Sequence, residues 1–144
     1  MPLDLRFIED SLAALEENLR FLLELGAISE DEFKASKQST YSSAYALMIC
    51  IESVSGIASH LLAAKSKSTP TGMAHSFQLL LQEGVIKSPT LAEELAKMSR
   101  FRNLIVHRYW KVDYGQVHEI LRNHLQDFRD FAAEIQEYLD KIHE

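Results

Sequence analysis

Apolar residues recur at intervals of three and four along this chain, and that period constrains its fold more than any other feature of the sequence. Near the start, Ile8, Leu12, Leu15, Leu19 and Leu22 follow one another at spacings of 4, 3, 4 and 3. This spacing places all five side chains on one face of an α-helix. No stretch favours the alternation of apolar and polar residues that is typical of β-strands. The sequence therefore predicts an all-α protein.

Capping residues and glycines divide the pattern into separate helices. The first helix is predicted over about residues 4–25, with Gly26 in a left-handed turn after it. Ser29, which has an acid three residues later, is typical of a helix start. It predicts a second helix that runs to about Lys65, with a bend allowed near Ser39.

The rest of the chain continues the same pattern. The predicted boundaries are a loop at 66–72, a short helix over about 73–83 that ends at Gly84, a fourth helix from a cap at Ser88 or Thr90 to about His107, and a last helix beyond a cap at Asp113. The last helix carries an apolar face formed by Val117, Leu121, Phe128, Phe131, Ile135 and Leu139. Four long helices plus one short helix predict an up-and-down bundle.

Length and composition fit a single helical domain over residues 1–144. A chain of 144 residues, of which 47% are hydrophobic, can bury one sizeable core. Its single cysteine, Cys50, excludes an internal disulfide, and the acidic N-terminal segment does not resemble a signal region. The longest apolar stretch is interrupted by Glu52 and Gly56 and falls short of the about 20 apolar residues that span a membrane. We therefore expect a cytoplasmic protein with no membrane partner.

One short segment is strongly basic, although the net charge of the chain is -6. Residues 97–111 contain five of the 15 Lys and Arg residues and no acid. These five are Lys97, Arg100, Arg102, Arg108 and Lys111. A local positive strip favours a polyanion such as a nucleic acid. Tyr109 and Trp110 offer aromatic faces to unpaired bases, although packing of Trp110 is an equally good interpretation.

Arg102 lies on the apolar face of the predicted fourth helix. That face is formed by Leu91, Leu95, Met98, Arg102 and Ile105, at offsets of 0, 4, 7, 11 and 14. A guanidinium group keeps its charge, so a buried Arg needs a carboxylate, an interface or an anionic ligand as its partner. An internal salt bridge is the commonest of these arrangements, and the sequence leaves all three open.

The end of the same helix resembles a known family. Arg102, His107 and Tyr109 match the motif Arg, four to six residues, His, any residue, Tyr of HEPN-superfamily ribonuclease toxins in the HepT-like group. The segments FRNLIVHRYWKVD, LLQEGVI and LAKMSRFRN and the long flanking helices also resemble that group, so the resemblance covers most of the chain. The chain departs from the family at Gly56, where an acid is expected in many relatives, which puts one supporting contact in doubt.

The resemblance implies a HEPN-like bundle that cleaves RNA without a metal or another cofactor, and it makes RNA the expected ligand of the basic strip. His107 would then act as an acid or base, Arg102 would stabilise charge on the phosphoryl group, and Asn103 would orient His107 or hold a phosphate. One His does not easily supply both an acid and a base, so we expect a homodimer in which two such segments face one cleft. The family's partner is a minimal nucleotidyltransferase antitoxin (MntA-like), which attaches AMP to the Tyr of the motif, here Tyr109.

The remaining candidates favour structural roles. Five histidines lack the spacing of metal ligands, so no metal site is expected: His60, His75, His118, His124 and His143. His124 lies on the apolar face of the last helix and is interpreted as a core or interface residue. Tyr41 and Tyr45 belong to an apolar period and are expected to face the core.

Three functions remain open from the sequence. The first is a toxin that cleaves RNA and does not act on DNA. The second is a HEPN-type module that holds RNA or a nucleotide beside a nucleotidyltransferase without cleavage. The third is a structural bundle whose basic strip is an assembly surface. Loss of RNA cleavage in His107→Ala would select the first.

Overall fold

The computed structural model describes residues 3–65 and 69–143, which form an all-α structure. The α-helices are α1 Leu5–Ala27, α2 Glu30–Ala35, α3 Lys37–Lys65, α4 Met73–Gln82, α5 Pro89–His107, α6 Tyr114–Asn123 and α7 Gln126–Ile142, and a 3-10 turn covers Tyr109–Lys111. The described residues contain no strand, and the all-α class predicted from the sequence is confirmed. Residues 66–68 of the predicted loop at 66–72 lie outside the described residues.

Side-chain caps start several helices where the sequence predicts them. Ser29 and Ser88 each accept a hydrogen bond, at 3.1 Å, from the backbone N–H three residues later. Asp113 accepts similar bonds at the start of α6. Each cap satisfies a backbone N–H of the first turn that has no partner within the helix. Thr90 lies inside α5, so the alternative start predicted there is wrong.

Two helices that the sequence predicts as continuous are each broken in two. The backbone of Ser36 is extended and ends α2, so the break precedes the bend allowed near Ser39. The hydroxyl oxygen of Ser36 then accepts a hydrogen bond from the N–H of Ser39 in the first turn of α3. The last helix is interrupted at His124, whose backbone leaves the helical region. The apolar face predicted for that helix is nevertheless buried, on α6 and α7 together.

Gly26 lies at a close approach of two helices, and the left-handed turn predicted there is wrong. This residue is buried inside α1. A Cβ atom at its position would come within 3.0 Å of the backbone oxygen of Leu121 on α6. Glycine therefore allows α1 and α6 to pack closely. Gly84, predicted to end the short helix, follows α4 with a positive φ of 74°.

Helix α3 is the central helix of the bundle. It is buried along most of its length and packs against α1, α4, α5, α6 and α7. By length and composition α3 could also cross a membrane, with a hydropathy of 1.6 over an 18-residue window, but 50% of that window is buried inside the protein. A core helix of a bundle has the same properties. The exposed side of α3 places Glu52 next to α5, where the candidate site lies.

Candidate functional site

The second half of α5 carries the residues that the sequence predicts as a site. Nε of Arg102 donates a hydrogen bond to Oε1 of Glu52 on α3, at 2.6 Å. This contact is a salt bridge within the chain, which is the commonest of the three arrangements that the sequence leaves open for Arg102. The side chains of Arg102 and Glu52 are 29% and 48% exposed. Because the pair is open to solvent, the guanidinium group can still reach a ligand.

Glu52 is a candidate functional residue that the sequence analysis did not single out. The resemblance predicts an acid at position 56, which is Gly56 here. Glu52 lies one turn earlier on the same helix and supplies the carboxylate that contacts Arg102. The signal in the sequence was a single acid inside a long apolar stretch of α3.

Arg102 lies in a groove formed by α3, the start of α4 and α5, which we call the Arg102 groove. Its volume is about 700 Å³. Its polar lining includes Glu52, Ser55, His75, Ser99, Arg102 and Asn103. Nη1 of Arg102 also lies 3.4 Å from Oδ1 of Asn103 and donates to it. The groove therefore offers charged and neutral hydrogen-bond donors to an anion.

His107 lies at the end of α5 on a separate, shallower surface. This surface, which we call the His107 depression, has a volume of about 400 Å³ and is lined by Arg100, Asn103, Leu104, His107 and Arg108. Asn103 borders both the depression and the Arg102 groove. Within one chain, Arg102 and His107 therefore face neighbouring surfaces and do not share one cavity.

Four residues of the basic strip are exposed, namely Lys97, Arg100, Arg108 and Lys111, and Arg102 is partly exposed. Nζ of Lys97 lies 2.9 Å from Oε1 of Glu94, one turn earlier on α5. Arg100, Arg108 and Lys111 make no salt bridge with another residue in the described part of the chain. These three cations therefore remain available to phosphate groups.

A further groove beside the motif, which we call the aromatic groove, corrects one prediction. Its volume is about 770 Å³, and its aromatic lining consists of Tyr41, Tyr45, Tyr109, Trp110 and Tyr114. Tyr41 and Tyr45 are 61% and 63% exposed, so the prediction that they face the core is wrong. Because α3 is apolar on several sides, its period does not identify the buried one. Trp110 is 66% exposed, so it does not belong to the hydrophobic core of this chain.

The position of His124 excludes one of the two interpretations that its sequence position allows. Its side chain is 40% exposed at the end of α6, so it is not a core residue. One ligand-type atom from each of His124, Glu94 and Asp127 lies within 4.8 Å of the others. Oδ2 of Asp127 is buried without a hydrogen-bond partner among the described residues. Burial, followed by the negative charge of Glu94, raises the pKa of the Asp127 carboxyl.

Three other histidines make contacts with the backbone. His118 is buried, and its Nε2 lies 2.8 Å from a backbone carbonyl oxygen. Nε2 of His60 accepts a hydrogen bond from the N–H of Asp4 at 2.8 Å. Nδ1 of His75 accepts one from the backbone N–H of Thr71 at 3.0 Å. Of these three residues, only His75 lines the Arg102 groove.

Comparison with known proteins identifies the family. The model of the family described as ribonuclease HepT-like matches residues 15–135. The chain belongs to this family. The membership confirms the resemblance that the motif and its flanking segments carry in the sequence.

Several HepT-like proteins are similar to the chain. The mRNA nuclease HepT of Shewanella oneidensis is 34% identical over 85 residues, which are 59% of this chain and 63% of that protein. This match therefore spans slightly less than two thirds of the relative. The tRNA nuclease HepT of Aphanizomenon flos-aquae is 27% identical over 137 residues, 95% of this chain and 92% of that protein. A solved structure of a tri-AMPylated Shewanella oneidensis HEPN toxin in complex with MNT antitoxin is 27% identical, with a TM-score of 0.82 over 91% of this chain and 97% of that one.

The HepT-like fold gathers the predicted site residues at one end of α5. Arg102 and Asn103 lie in one groove, and His107 lies on the adjoining depression. Tyr109 follows immediately in the 3-10 turn, and its ring packs edge-on against Trp110 with centroids 5.2 Å apart. All of these residues border solvent, so the end of α5 is accessible to a large ligand.

Proposed function

We propose that this chain is a metal-independent endoribonuclease and the toxin of a toxin-antitoxin pair in the cytoplasm. The observation that carries the proposal is the placement of Arg102, Asn103 and His107 at one exposed end of α5, among free cations. An Arg and a His in this position can bind a phosphodiester and transfer a proton. The family, and relatives named as mRNA and tRNA nucleases, support this activity. A continuous hydrophobic core supports a single domain over residues 1–144.

The proposed reaction begins at a ribose 2′-hydroxyl. His107 removes its proton, and the 2′ oxygen attacks the adjacent phosphorus. Arg102, whose Nε is held by Glu52, donates from its outer nitrogens to the phosphoryl oxygens as negative charge develops there. The bond from phosphorus to the 5′ oxygen breaks, and that oxygen takes a proton from a second acid. The products are a 2′,3′-cyclic phosphate and a 5′-hydroxyl.

The second acid is proposed to come from another copy of the chain. Arg102 and His107 of one chain face different surfaces, so a symmetric partner at the end of α5 would complete the site. Tyr41 and Tyr45, which are exposed in the aromatic groove, offer apolar surface for this contact. Sedimentation at micromolar concentration should report about twice the chain mass of 16.4 kDa. A stable monomer that cleaves RNA would contradict the dimer.

The proposed substrate is single-stranded or loop RNA. The free cations around His107 can contact successive phosphates of a strand. Trp110 and Tyr109 are exposed, so unpaired bases can stack on their rings. Bases within a duplex are already stacked on one another and cannot use these faces. DNA lacks the 2′-hydroxyl that the proposed reaction requires.

The proposed partner is a minimal nucleotidyltransferase antitoxin that attaches AMP to Tyr109. The solved HEPN toxin is tri-AMPylated and bound to an MNT antitoxin, which supports both the partner and the modification. Tyr109 is 69% exposed and lies two residues beyond His107. An attached AMP would add a phosphodiester charge and a purine at the end of α5, where they would compete with RNA for the same cations.

Cleavage of a labelled single-stranded RNA in EDTA tests the proposal. We expect Arg102→Ala and His107→Ala to reduce cleavage at least about 100-fold, because each removes a group that acts in the transition state. Their circular dichroism and melting temperatures should stay close to those of the wild type, since both residues lie at the surface. His143→Ala, which changes an exposed His at the end of α7, is the matched control. Wild-type cleavage by folded His107→Ala would overturn the catalytic assignment.

One observation favours the second candidate, a binding module without cleavage. Arg102 and His107 line separate surfaces within a chain, an arrangement that suits a bound nucleotide as well as a reacting one. The same assay distinguishes the two functions. RNA that binds to the antitoxin-free protein through Arg102 but is never cut would establish the binding module.

A further inference from the structure

The Arg102 groove contains a histidine that the proposed reaction does not use. His75 is the third residue of α4 and lines the groove together with Arg102 and Asn103. It comes from a part of the chain that is distant from the Arg-His-Tyr motif. An imidazole beside a guanidinium group suits an anionic ligand.

The hydrogen bonding of His75 decides where its proton lies. The backbone N–H of Thr71 donates to Nδ1 at 3.0 Å, and the Thr71 hydroxyl oxygen lies 3.3 Å from the same nitrogen. A backbone N–H can only donate, so Nδ1 must be the acceptor. The neutral ring therefore carries its proton on Nε2. The same bond ties the ring to the segment that precedes α4, which restricts the orientation of the ring.

We propose that Nε2–H of His75 donates a hydrogen bond to a non-bridging oxygen of the RNA phosphate that Arg102 contacts. This inference rests on the proposed function and adds a residue to its phosphate-binding site. His75 acts as a hydrogen-bond donor in this role, and no proton is transferred. Arg102 supplies the positive charge from α5, whereas His75 supplies a directed donor from α4.

The rest of the groove fits a phosphate. Ser55 and Asn103 add neutral polar groups to the lining. Gly72, the residue before α4, places no side chain over the first turn of that helix, which also lines the groove. Glu52 is the one acid among the described residues of the lining, and its Oε1 is already engaged by Arg102. A phosphate in the groove therefore meets mainly hydrogen-bond donors.

Binding and cleavage are measured separately to test this inference. Binding is followed by fluorescence anisotropy with a single-stranded 2′-O-methyl RNA, which cannot undergo attack by its 2′ oxygen. We expect His75→Ala to weaken this binding. It should also lower kcat on unmodified RNA by about 10- to 100-fold, because the variant lacks a hydrogen-bond donor to the charge that develops in the transition state. His75→Gln should retain most of the RNA binding and most of the kcat, because the amide N–H of Gln can occupy nearly the place of Nε2–H. His143→Ala again serves as the matched control.

Each outcome supports or overturns the inference. Wild-type binding and cleavage by folded His75→Ala would overturn it, as would equal losses in His75→Ala and His75→Gln. A proton on Nδ1, seen by nitrogen NMR of the labelled ring, would also overturn it. If wild-type protein cleaves no RNA but binds the 2′-O-methyl RNA through His75, then the proposed nuclease activity fails and the phosphate site stands.

Discussion

Glu52 and Arg102 are fifty residues apart in the chain, and Oε1 of one lies 2.6 Å from Nε of the other. The contact joins α3 to the second half of α5 at the wall of the Arg102 groove. Both side chains remain partly exposed, so neither charge is buried. The contact holds the guanidinium group by one nitrogen and leaves outer nitrogens for a phosphate.

Removal of the Glu52 charge should change catalysis more than stability. In Glu52→Gln we expect tighter RNA binding, because a negative charge leaves the groove, and a kcat lower by about tenfold, because Arg102 is positioned less firmly. The free energy of unfolding should change by less than about 1 kcal/mol, since partly exposed ion pairs contribute little. Steady-state kinetics would show both effects, with Glu17→Gln on the exposed side of α1 as control. An unchanged kcat would contradict the positioning role.

Trp110 should report the binding of unpaired RNA. It is the single Trp of the chain and is 66% exposed, so its fluorescence observes one site. Single-stranded 2′-O-methyl RNA is expected to quench this fluorescence more strongly than duplex RNA. Trp110→Ala should weaken binding by about tenfold, consistent with the loss of one stacked base, and Trp110→Phe should retain most of the affinity. Equal quenching by both RNA forms would argue against stacking.

Coexpression with a nucleotidyltransferase antitoxin should place AMP on Tyr109. Exposure alone does not single out this residue, because Tyr41 and Tyr45 are also exposed in the same aromatic groove. Intact-mass and peptide analysis should therefore show adducts that disappear in Tyr109→Phe and persist in Tyr41→Phe and Tyr45→Phe. The modified protein should remain folded and lose RNA cleavage. A neutralised toxin without AMP on Tyr109 would leave occlusion by the partner as the explanation.

Asp127→Asn should stabilise the protein at neutral pH. The pKa of the Asp127 carboxyl is raised in the folded state, so ionisation of this carboxyl destabilises the protein. The destabilisation begins as the pH rises past the ordinary pKa of Asp, and it is complete above the raised pKa. We expect a gain of less than about 1 kcal/mol in urea unfolding at pH 7.5, because the carboxylate is only partly buried and solvent screens its charge, and a smaller gain at pH 4.5. Asp10→Asn, at an exposed position on α1, should have little effect at either pH. Destabilisation by Asp127→Asn at pH 7.5 would show that the carboxylate has a partner in solution.

Two glycine substitutions should have opposite effects on stability. In Gly26→Ala the new Cβ would lie within 3.0 Å of the Leu121 backbone, so we expect a loss of about 1–3 kcal/mol. In Gly56→Ala the Cβ would meet only the ring of Phe7, at 3.4 Å, and the better helix propensity of Ala should add about 0.5–1 kcal/mol. Urea unfolding of both variants measures the two changes in the free energy of unfolding. Similar effects at the two positions would mean that α1 and α6 adjust to the added methyl group.

Features that depend on neighbouring residues were determined by the sequence alone. The caps at Ser29, Ser88 and Asp113 bond backbone groups no more than three residues away, so their spacing in the chain was sufficient to predict them. The apolar period predicted the all-α class for a similar reason, because successive turns of one helix repeat the same face. The motif from Arg102 to Tyr109 is equally local, and it carries the resemblance to the family without any tertiary contact.

Only the tertiary structure decided which distant residues meet. Glu52 contacts Arg102 across two helices, and His75 reaches the same groove from the start of α4. The exposure of Tyr41 was also decided at this level, since α3 is apolar on several sides and the positions of neighbouring helices determine which side is covered. Gly26 shows the same dependence, because its role comes from the approach of α6 and not from a turn. Helix crossing and loop paths set these contacts, and neither is encoded in the spacing of residues along one helix.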